Sequence, residues 1–180
     1  MQHVILGLLL SGPLSAYDLH RRFTAGISLF YSASLGGIQR ALAQLLADGS
    51  VTASKADDTR RGRTAYAATA RGREAWRAWM LEEQVTGVDP ETTMLAKVYL
   101  LGLADAQDRP EVLQSVRRRA ARDLEALLSR ELELDALDDV PAGSQDVFGH
   151  QRATLDYGIR SHRLALTWLD ELVERVAGER

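Results

Sequence analysis

The chain has 180 residues, of which 46% are apolar and 26% are charged, with four prolines and no cysteine. This composition is ordinary for a globular protein built as one large domain or two small ones. The lack of cysteine excludes a disulfide framework, a thiolate nucleophile and a cysteine-ligated zinc site. We expect a cytoplasmic protein.

The charges are unevenly distributed along the chain, although the net charge is only -3. Residues 1–80 carry ten basic and five acidic side chains, a net charge of +5, whereas residues 81–180 carry 12 basic and 20 acidic ones, a net charge of -8. A segregated positive charge attracts a polyanion even when the whole protein is acidic. The pattern predicts that only the front half approaches such a partner.

The chain opens with an apolar stretch that predicts a helix over residues 2–10, ended by Gly12 and Pro13. The stretch is short and lacks a preceding basic segment, so we do not expect a signal peptide. No apolar run approaches the roughly 20 residues that span a bilayer, so we expect no membrane partner. A second helix follows Ser15 as its N-cap and ends at Gly26.

A third helix is predicted after Ser34 as N-cap, with Gly49 as the glycine that ends it. One face is expected to be buried, because its apolar residues recur at helical spacing: Ile38, Leu42, Leu45 and Leu46. The outward residues include glutamine and arginine, which hydrogen-bond base edges, and two glycines whose backbone can approach a phosphate. Taken alone, the pattern also fits an ordinary surface helix.

Two short segments with strand-like patterning, residues 51–56 and 64–69, flank a turn that carries several arginines. Clustered arginines repel one another unless an anion neutralises them, and phosphate contacts release counterions. Together with the three helices, this hairpin predicts a winged helix-turn-helix domain that binds double-stranded DNA. The expected DNA-binding residues are Ser34, Gly36, Gly37, Gln39, Arg40, Gln44, Lys55, Arg60, Arg61 and Arg63.

The rear half is predicted to be helical, and we divide the chain into a DNA-binding domain at 1–84 and a helical dimerisation domain at 85–180. Further helices are expected from residue 70 to about 84, from residue 90, from residue 108 and from about 147 to 176. Residues 138–146 form the clearest linker. Arg117, Arg118 and Arg119 are expected to form ion pairs with carboxylates at helical spacing rather than a second basic site.

The last helix contains apolar residues at alternating steps of four and three, interrupted by one histidine. This is a heptad seam, which needs a partner helix in the same chain or in a second copy. The expected dimerisation residues are Leu155, Ile159, His162, Leu166, Leu169, Val173 and Val176. We interpret His162 as a polar residue that fixes the register between the last helix and its partner. The alternative is that protonation of His162 switches this pairing with pH.

Four aromatic residues are candidates for a pocket that holds a small hydrophobic or aromatic effector: Trp76, Trp79, Tyr99 and Trp168. Packing in the core is the alternative role for such side chains. The four histidines lack the spacing of metal ligands, so we expect no metal and no cofactor. The chain contains no nucleophile elbow and no phosphate-binding glycine loop, and we do not expect an enzyme.

Three segments resemble the PadR family of bacterial transcriptional regulators: VILGLLLSGPLSAYDLHRRF its opening helices, SASLGGIQRALAQLLADGSV its recognition helix and RRGRTAYAATARGRE its wing. The segments TMLAKVYLLGL and RLALTWLDELVERV resemble the longer-tailed branch with a helical dimerisation domain. The resemblance implies a mainly α fold with a small β-hairpin wing. It also implies a homodimer that represses a nearby operon and is often released by a small molecule.

Two departures from the family leave a second hypothesis open. Gln39 stands where the family usually has a tyrosine, and Ser50 stands where an apolar residue normally follows the helix-ending glycine. The alternative is a dimeric helical module that binds a protein or sequesters a ligand without binding DNA. If the chain does bind DNA as a two-fold dimer, its operator should be an inverted repeat.

Overall fold

The computed structural model describes residues 1–29, 31–55, 64–82, 90–136 and 143–178. The chain forms two compact units, Met1–Val112 and Leu113–Arg180. The helices and strands, in chain order, are α1 (Gln2–Leu10), β1 (Leu14–Ser15), α2 (Ala16–Ala25), α3 (Leu35–Ala47), β2 (Val51–Lys55), β3 (Thr64–Ala68), α4 (Ala70–Leu81), α5 (Pro90–Leu100), α6 (Arg109–Asp135) and α7 (Gln145–Gly178). This mainly helical fold with a small winged sheet confirms the predicted fold class.

The first compact unit continues beyond residue 84, where the sequence analysis placed the domain boundary. Helix α5 packs against α1, and its residues Ala96 and Leu100 are buried. An apolar helix of this length cannot expose that face to water, so it joins the winged-helix core. The predicted boundary between a DNA-binding domain at 1–84 and a dimerisation domain at 85–180 therefore does not coincide with the boundary between the compact units. The roles of the two domains stay a prediction.

The sheet has three antiparallel strands in the order β1-β3-β2, whereas the sequence predicted only the β2–β3 hairpin. The additional strand is two residues long, with Leu14 paired to Tyr66 and Ser15 to Ala65. Two residues cannot display the alternation by which a strand is recognised in a sequence. Strand β1 thereby joins the start of α2 to the wing.

Both ends of α3 form as predicted. The Ser34 hydroxyl accepts a hydrogen bond from the Gly37 amide at 3.1 Å. At the other end the Gly49 amide donates to the Leu46 carbonyl at 3.0 Å, and the Ser50 amide donates to that of Leu45 at 2.8 Å. Gly49 has a φ of 68°, which glycine adopts without steric cost, and this turn directs the chain into β2.

The buried face of α3 differs from the prediction at two positions. Ile38, Ala41, Leu42 and Leu45 are buried, but Leu46 remains 37% exposed. Leu46 lies one residue beyond Leu45, hence about 100° further around the helix, at the edge of the apolar stripe. Ala41, which the sequence analysis did not include, is buried at the opposite edge of the stripe.

In the second unit, α6 and α7 form an antiparallel pair. Arg117 near the start of α6 forms an ion pair with Asp170 late in α7, with Nε and Oδ1 2.5 Å apart, and Asp135 at the end of α6 pairs with Arg152 early in α7. The Arg119–Asp123 pair, 2.8 Å apart, has the helical spacing that was predicted, whereas Arg117 pairs across the two helices. Across the described ranges, no helix is long and apolar enough to cross a membrane.

Candidate nucleic-acid interface

The outer surface of α3 carries the three polar side chains that the sequence assigned to base contacts. Gln39, Arg40 and Gln44 are all exposed. The Gln44 Oε1 accepts a hydrogen bond from the Gln2 Nε2 at 2.8 Å, so α1 orients this side chain and leaves its amide nitrogen as a donor. In the described part of the chain, Gln39 and Arg40 have no side-chain hydrogen bond or ion pair and are available to a ligand.

The first turn of α3 offers backbone donors to an anion. The first helical hydrogen bond runs from the Ile38 amide to the Ser34 carbonyl at 3.0 Å, so the amides of Leu35 and Gly36 precede it. Ser34 already accepts from the Gly37 amide, which is therefore not the free donor that the sequence suggested. Unpaired amides at the start of a helix attract phosphate. The amides of Leu35 and Gly36 are therefore the donors available to an anion at this end of α3.

The base of the wing carries Lys55, which is exposed at the end of β2 and pairs in register with Thr64 on β3. The predicted arginines Arg60, Arg61 and Arg63 lie outside the described residues. The wing therefore contributes one described cation, and the assignment of its arginines rests on the sequence.

Helix α4 is fixed to the end of α3 through the backbone of Ser50. The Thr69 hydroxyl donates to the carbonyls of Gly49 and Ser50 at 2.8 and 3.1 Å, and it accepts from the Gly72 amide at 3.1 Å. A Cβ on Gly72 would overlap the Ser50 carbonyl, so only glycine allows this approach. The sequence analysis did not predict this contact, because Ser50 lies 19 residues from Thr69 and 22 from Gly72.

The four aromatic residues predicted to line an effector pocket lie in different parts of the structure. Trp76 is buried in the first unit, while the Trp79 ring stacks on His3 at 5.0 Å and lies 5.5 Å from the Lys97 Nζ. Tyr99 is 50% exposed, and Trp168 belongs to α7 in the second unit. Trp79 thus has a packing partner, and the structure does not gather the four residues in one pocket of the first unit.

His3 and Lys97 form a partly buried basic cluster around Trp79. The Lys97 side chain is 1% exposed, and its Nζ donates to the Glu82 carbonyl at 2.6 Å. Burial lowers the pKa of Lys97 to about 8. Burial also lowers the pKa of His3 to about 4, aided by the positive N-terminus and Lys97. The described residues hold no group of three or more potential metal ligands.

The sequence is similar to known regulators over most of its length. Residues 92–177 match the family model described as "Virulence activator alpha C-term". The chain is 22% identical to the negative transcriptional regulator PadR of Bacillus subtilis (strain 168) over 177 residues, which cover 98% of this chain and 97% of that protein.

Two solved structures are also similar to the chain. The crystal structure of Bacillus subtilis PadR in complex with operator DNA has 22% identity, a TM-score of 0.45 and coverage of 97% of this chain and 98% of the other. The structure of the Vibrio cholerae virulence activator AphA has 22% identity, a TM-score of 0.39 and 99% coverage of each chain. The sequence match with PadR extends over nearly the whole length of both chains, and the segments quoted above resemble the opening, recognition helix and wing of the PadR family.

Proposed function

We propose that this protein binds double-stranded DNA as a homodimer and represses transcription from an inverted-repeat operator, with release by a small-molecule effector. The observation that carries the proposal is the surface of α3. Its two ends are capped, its inner face is buried, and Gln39 and Arg40 are exposed with no side-chain partner among the described residues. A helix with this face fits a major groove.

The contacts divide into two classes with different consequences. Gln39, Arg40 and Gln44 contact base edges, where glutamine and arginine form hydrogen bonds that depend on sequence. The Leu35 and Gly36 amides, Lys55 and the wing arginines contact phosphates, which position the protein without specifying a base. Salt should therefore weaken the second class of contact most directly.

The homodimer is proposed to form through α7. The heptad seam lies on the side of α7 that carries Asp170 and Arg152, the ion-pair partners of α6, and its residues Ile159 and Leu169 are buried within one chain. The opposite side exposes Tyr157 and Leu164, which are 72% and 71% exposed. We propose that this outer face, opposite the seam, packs against a second copy.

Single substitutions test the two classes of DNA contact. Fluorescence anisotropy would compare Arg40→Ala and Lys55→Ala on the DNA upstream of the gene and on a scrambled duplex. Arg40→Ala should reduce the preference for the upstream DNA by about tenfold or more, as the loss of a base contact costs roughly 1–3 kcal/mol. Lys55→Ala should weaken both complexes and reduce the dependence on salt.

Arg130→Ala is the matched control, because Arg130 is an exposed arginine of α6 in the second unit. It should leave both affinities unchanged. Equal losses for Arg40→Ala on both duplexes would contradict the assignment of α3 as the recognition helix. A reporter gene behind the upstream region tests repression, and its expression should rise when the regulator is deleted.

A further inference from the structure

The start of α1 lies along one side of α3 and reaches the polar surface that is proposed to contact bases. Met1, which precedes α1, lies over the first turn of α3, where a Cβ on Gly37 would be 3.5 Å from the Met1 Cε. About two turns further along the same side of α3, the Gln2 Nε2 donates a hydrogen bond to the Gln44 Oε1 at 2.8 Å. Two consecutive residues thus contact α3 at two points.

The backbone that carries Gln2 is held in place by packing. The ring of His3 stacks on Trp79, with 5.0 Å between the ring centroids, and Ile5 in the first turn of α1 is fully buried. Gln2 itself is half-buried, whereas Gln44 is exposed on the outer surface of α3. A side chain that projects from a packed element restrains a more exposed one, so Gln2 restrains Gln44.

The hydrogen bond leaves Gln44 with a defined set of free donors and acceptors. A glutamine amide has two N–H donors on its nitrogen and two lone pairs on its oxygen. An unrestrained amide rotates about its last bond and presents either end to a base. The Gln2 donor bonds the oxygen end and fixes the plane of the amide. Among the described residues this is the one side-chain hydrogen bond of either glutamine, so Gln44 keeps one lone pair and two N–H groups.

We propose that Gln2 is a positioning residue that holds Gln44 for recognition of adenine in the major groove. This inference rests on the proposed function. Adenine presents the N6 amino donor beside the N7 acceptor, and these match the free lone pair and the N–H at the outer edge of the Gln44 amide. Guanine presents two acceptors, O6 and N7, so the restrained Oε1 would face an acceptor. The restraint thus favours an A·T pair over a G·C pair.

The hydrogen bond matters more in the complex than in the free protein. Without DNA it is exposed to water, which competes for both amides. A duplex against α3 excludes that water, and a hydrogen bond is stronger where the local dielectric is low. Gln44 also lies one turn beyond Arg40 on the same side of α3, next to another proposed base contact. Loss of the Gln2 donor should therefore change base preference and leave the stability of the free protein nearly unchanged.

Selection from a random duplex library, followed by sequencing, measures the preference at each base pair for the full chain and its variants. Gln44→Ala should lose the preference at one base pair in each half-site, which identifies the pair that Gln44 contacts. The parent should prefer A·T there by roughly tenfold over G·C, as expected for a base contact. Gln2→Met keeps an unbranched side chain of similar length but cannot donate, and it should reduce that preference by roughly threefold or more.

Two further proteins separate positioning from packing. Because Gln2 acts through Gln44, Gln2→Met combined with Gln44→Ala should lose no more preference than Gln44→Ala alone. Gln151→Met replaces an exposed glutamine of α7 and should leave every preference unchanged. An equal loss at all base pairs in Gln2→Met would indicate a packing role and overturn the proposal. Circular dichroism should show the same helix content in all variants.

A chemical change in the DNA tests adenine itself. In the selected duplex, 7-deazaadenine at the identified pair removes the N7 acceptor without altering the base pairing. It should weaken anisotropy-detected binding of the parent but not of Gln44→Ala. Unchanged parent binding, a preference for G·C at that pair, or an unchanged preference in Gln2→Met would each overturn the inference and leave the proposed function standing. A parent protein that selects no sequence would contradict the proposed function, and the inference with it.

Discussion

The carbonyl oxygen of Ser50 lies against the Cα of Gly72, in the space that a Cβ on that residue would occupy. The same carbonyl accepts hydrogen bonds from the Thr69 amide and hydroxyl, both at 3.1 Å. Two segments that are distant in the sequence, the end of α3 and the start of α4, are thereby held at backbone contact. This arrangement fixes the position of α3 relative to α4 in the first unit.

Gly72→Ala should destabilise the protein because the new methyl group overlaps backbone rather than a movable side chain. We expect the free energy of unfolding to fall by about 2 kcal/mol, within the range for overpacked sites. Urea denaturation measures this loss. Gly149→Ala on α7, where a Cβ meets open space, should instead gain up to about 1 kcal/mol from helix propensity. A Gly72→Ala protein as stable as the parent would contradict the close approach.

The helix ends could be predicted from the sequence, whereas the contacts that join the elements could not. Ser15, Ser34 and Gly49 act on amides and carbonyls within five residues, so their chemistry is visible locally. The Gln2–Gln44 hydrogen bond and the Arg77–Asp108 pair join residues 42 and 31 positions apart. Nothing in the residue types indicates which of several distant partners each side chain meets.

The same reason explains why the outer surface of α3 was easier to predict than a pocket. The surface of α3 depends on one helical period, which the sequence displays. A groove in the first unit combines residues from α1, α4 and the segment that leads into α6, and of the four aromatic residues predicted to line an effector pocket Trp76 is the one that lines this groove. A pocket assembled from separate elements depends on their packing, which a pattern of residue types does not contain.

Lys97 should make the stability of the protein depend on alkaline pH. Its pKa falls from 10.5 to about 8 on folding, so the folded state disfavours the charged form. The resulting destabilisation is complete below pH 8 and disappears as the pH rises towards 10.5. Between pH 7.5 and 10, the free energy of unfolding of the parent protein should therefore rise by about 2 kcal/mol relative to that of Lys97→Met. Parallel stability curves for the two proteins in urea would exclude this burial cost.

His3 should remain neutral well below the pH at which an exposed histidine becomes charged. Burial is the main reason why its pKa lies at about 4 rather than 6.5, and the charges of the N-terminus and Lys97 contribute. The imidazole resonances in an NMR titration should move near pH 4. In Lys97→Met the midpoint should rise, because one positive neighbour is removed. A His3 midpoint near 6.5 in the parent protein would show that its ring is not buried against Trp79.

Leu164→Glu should convert the proposed homodimer into a monomer without unfolding it. Leu164 is 71% exposed in one chain, so its replacement costs little in the isolated fold but introduces an uncompensated charge at the proposed interface. Light scattering after gel filtration measures the mass, and circular dichroism measures the helix content. Val147→Glu changes another exposed apolar residue of α7, 59% exposed, and should remain dimeric. A dimeric Leu164→Glu protein would leave the seam residues as the candidate interface.

The most direct test of the proposed function is the anisotropy of fluorescent DNA from upstream of the gene, titrated with the unmodified protein at several salt concentrations beside a scrambled duplex. We predict tighter binding to the upstream DNA and an affinity that falls steeply with salt, because several phosphate contacts release counterions. The absence of binding to either duplex, even at low salt, would contradict DNA recognition by α3 and favour a helical module that binds a protein or a ligand.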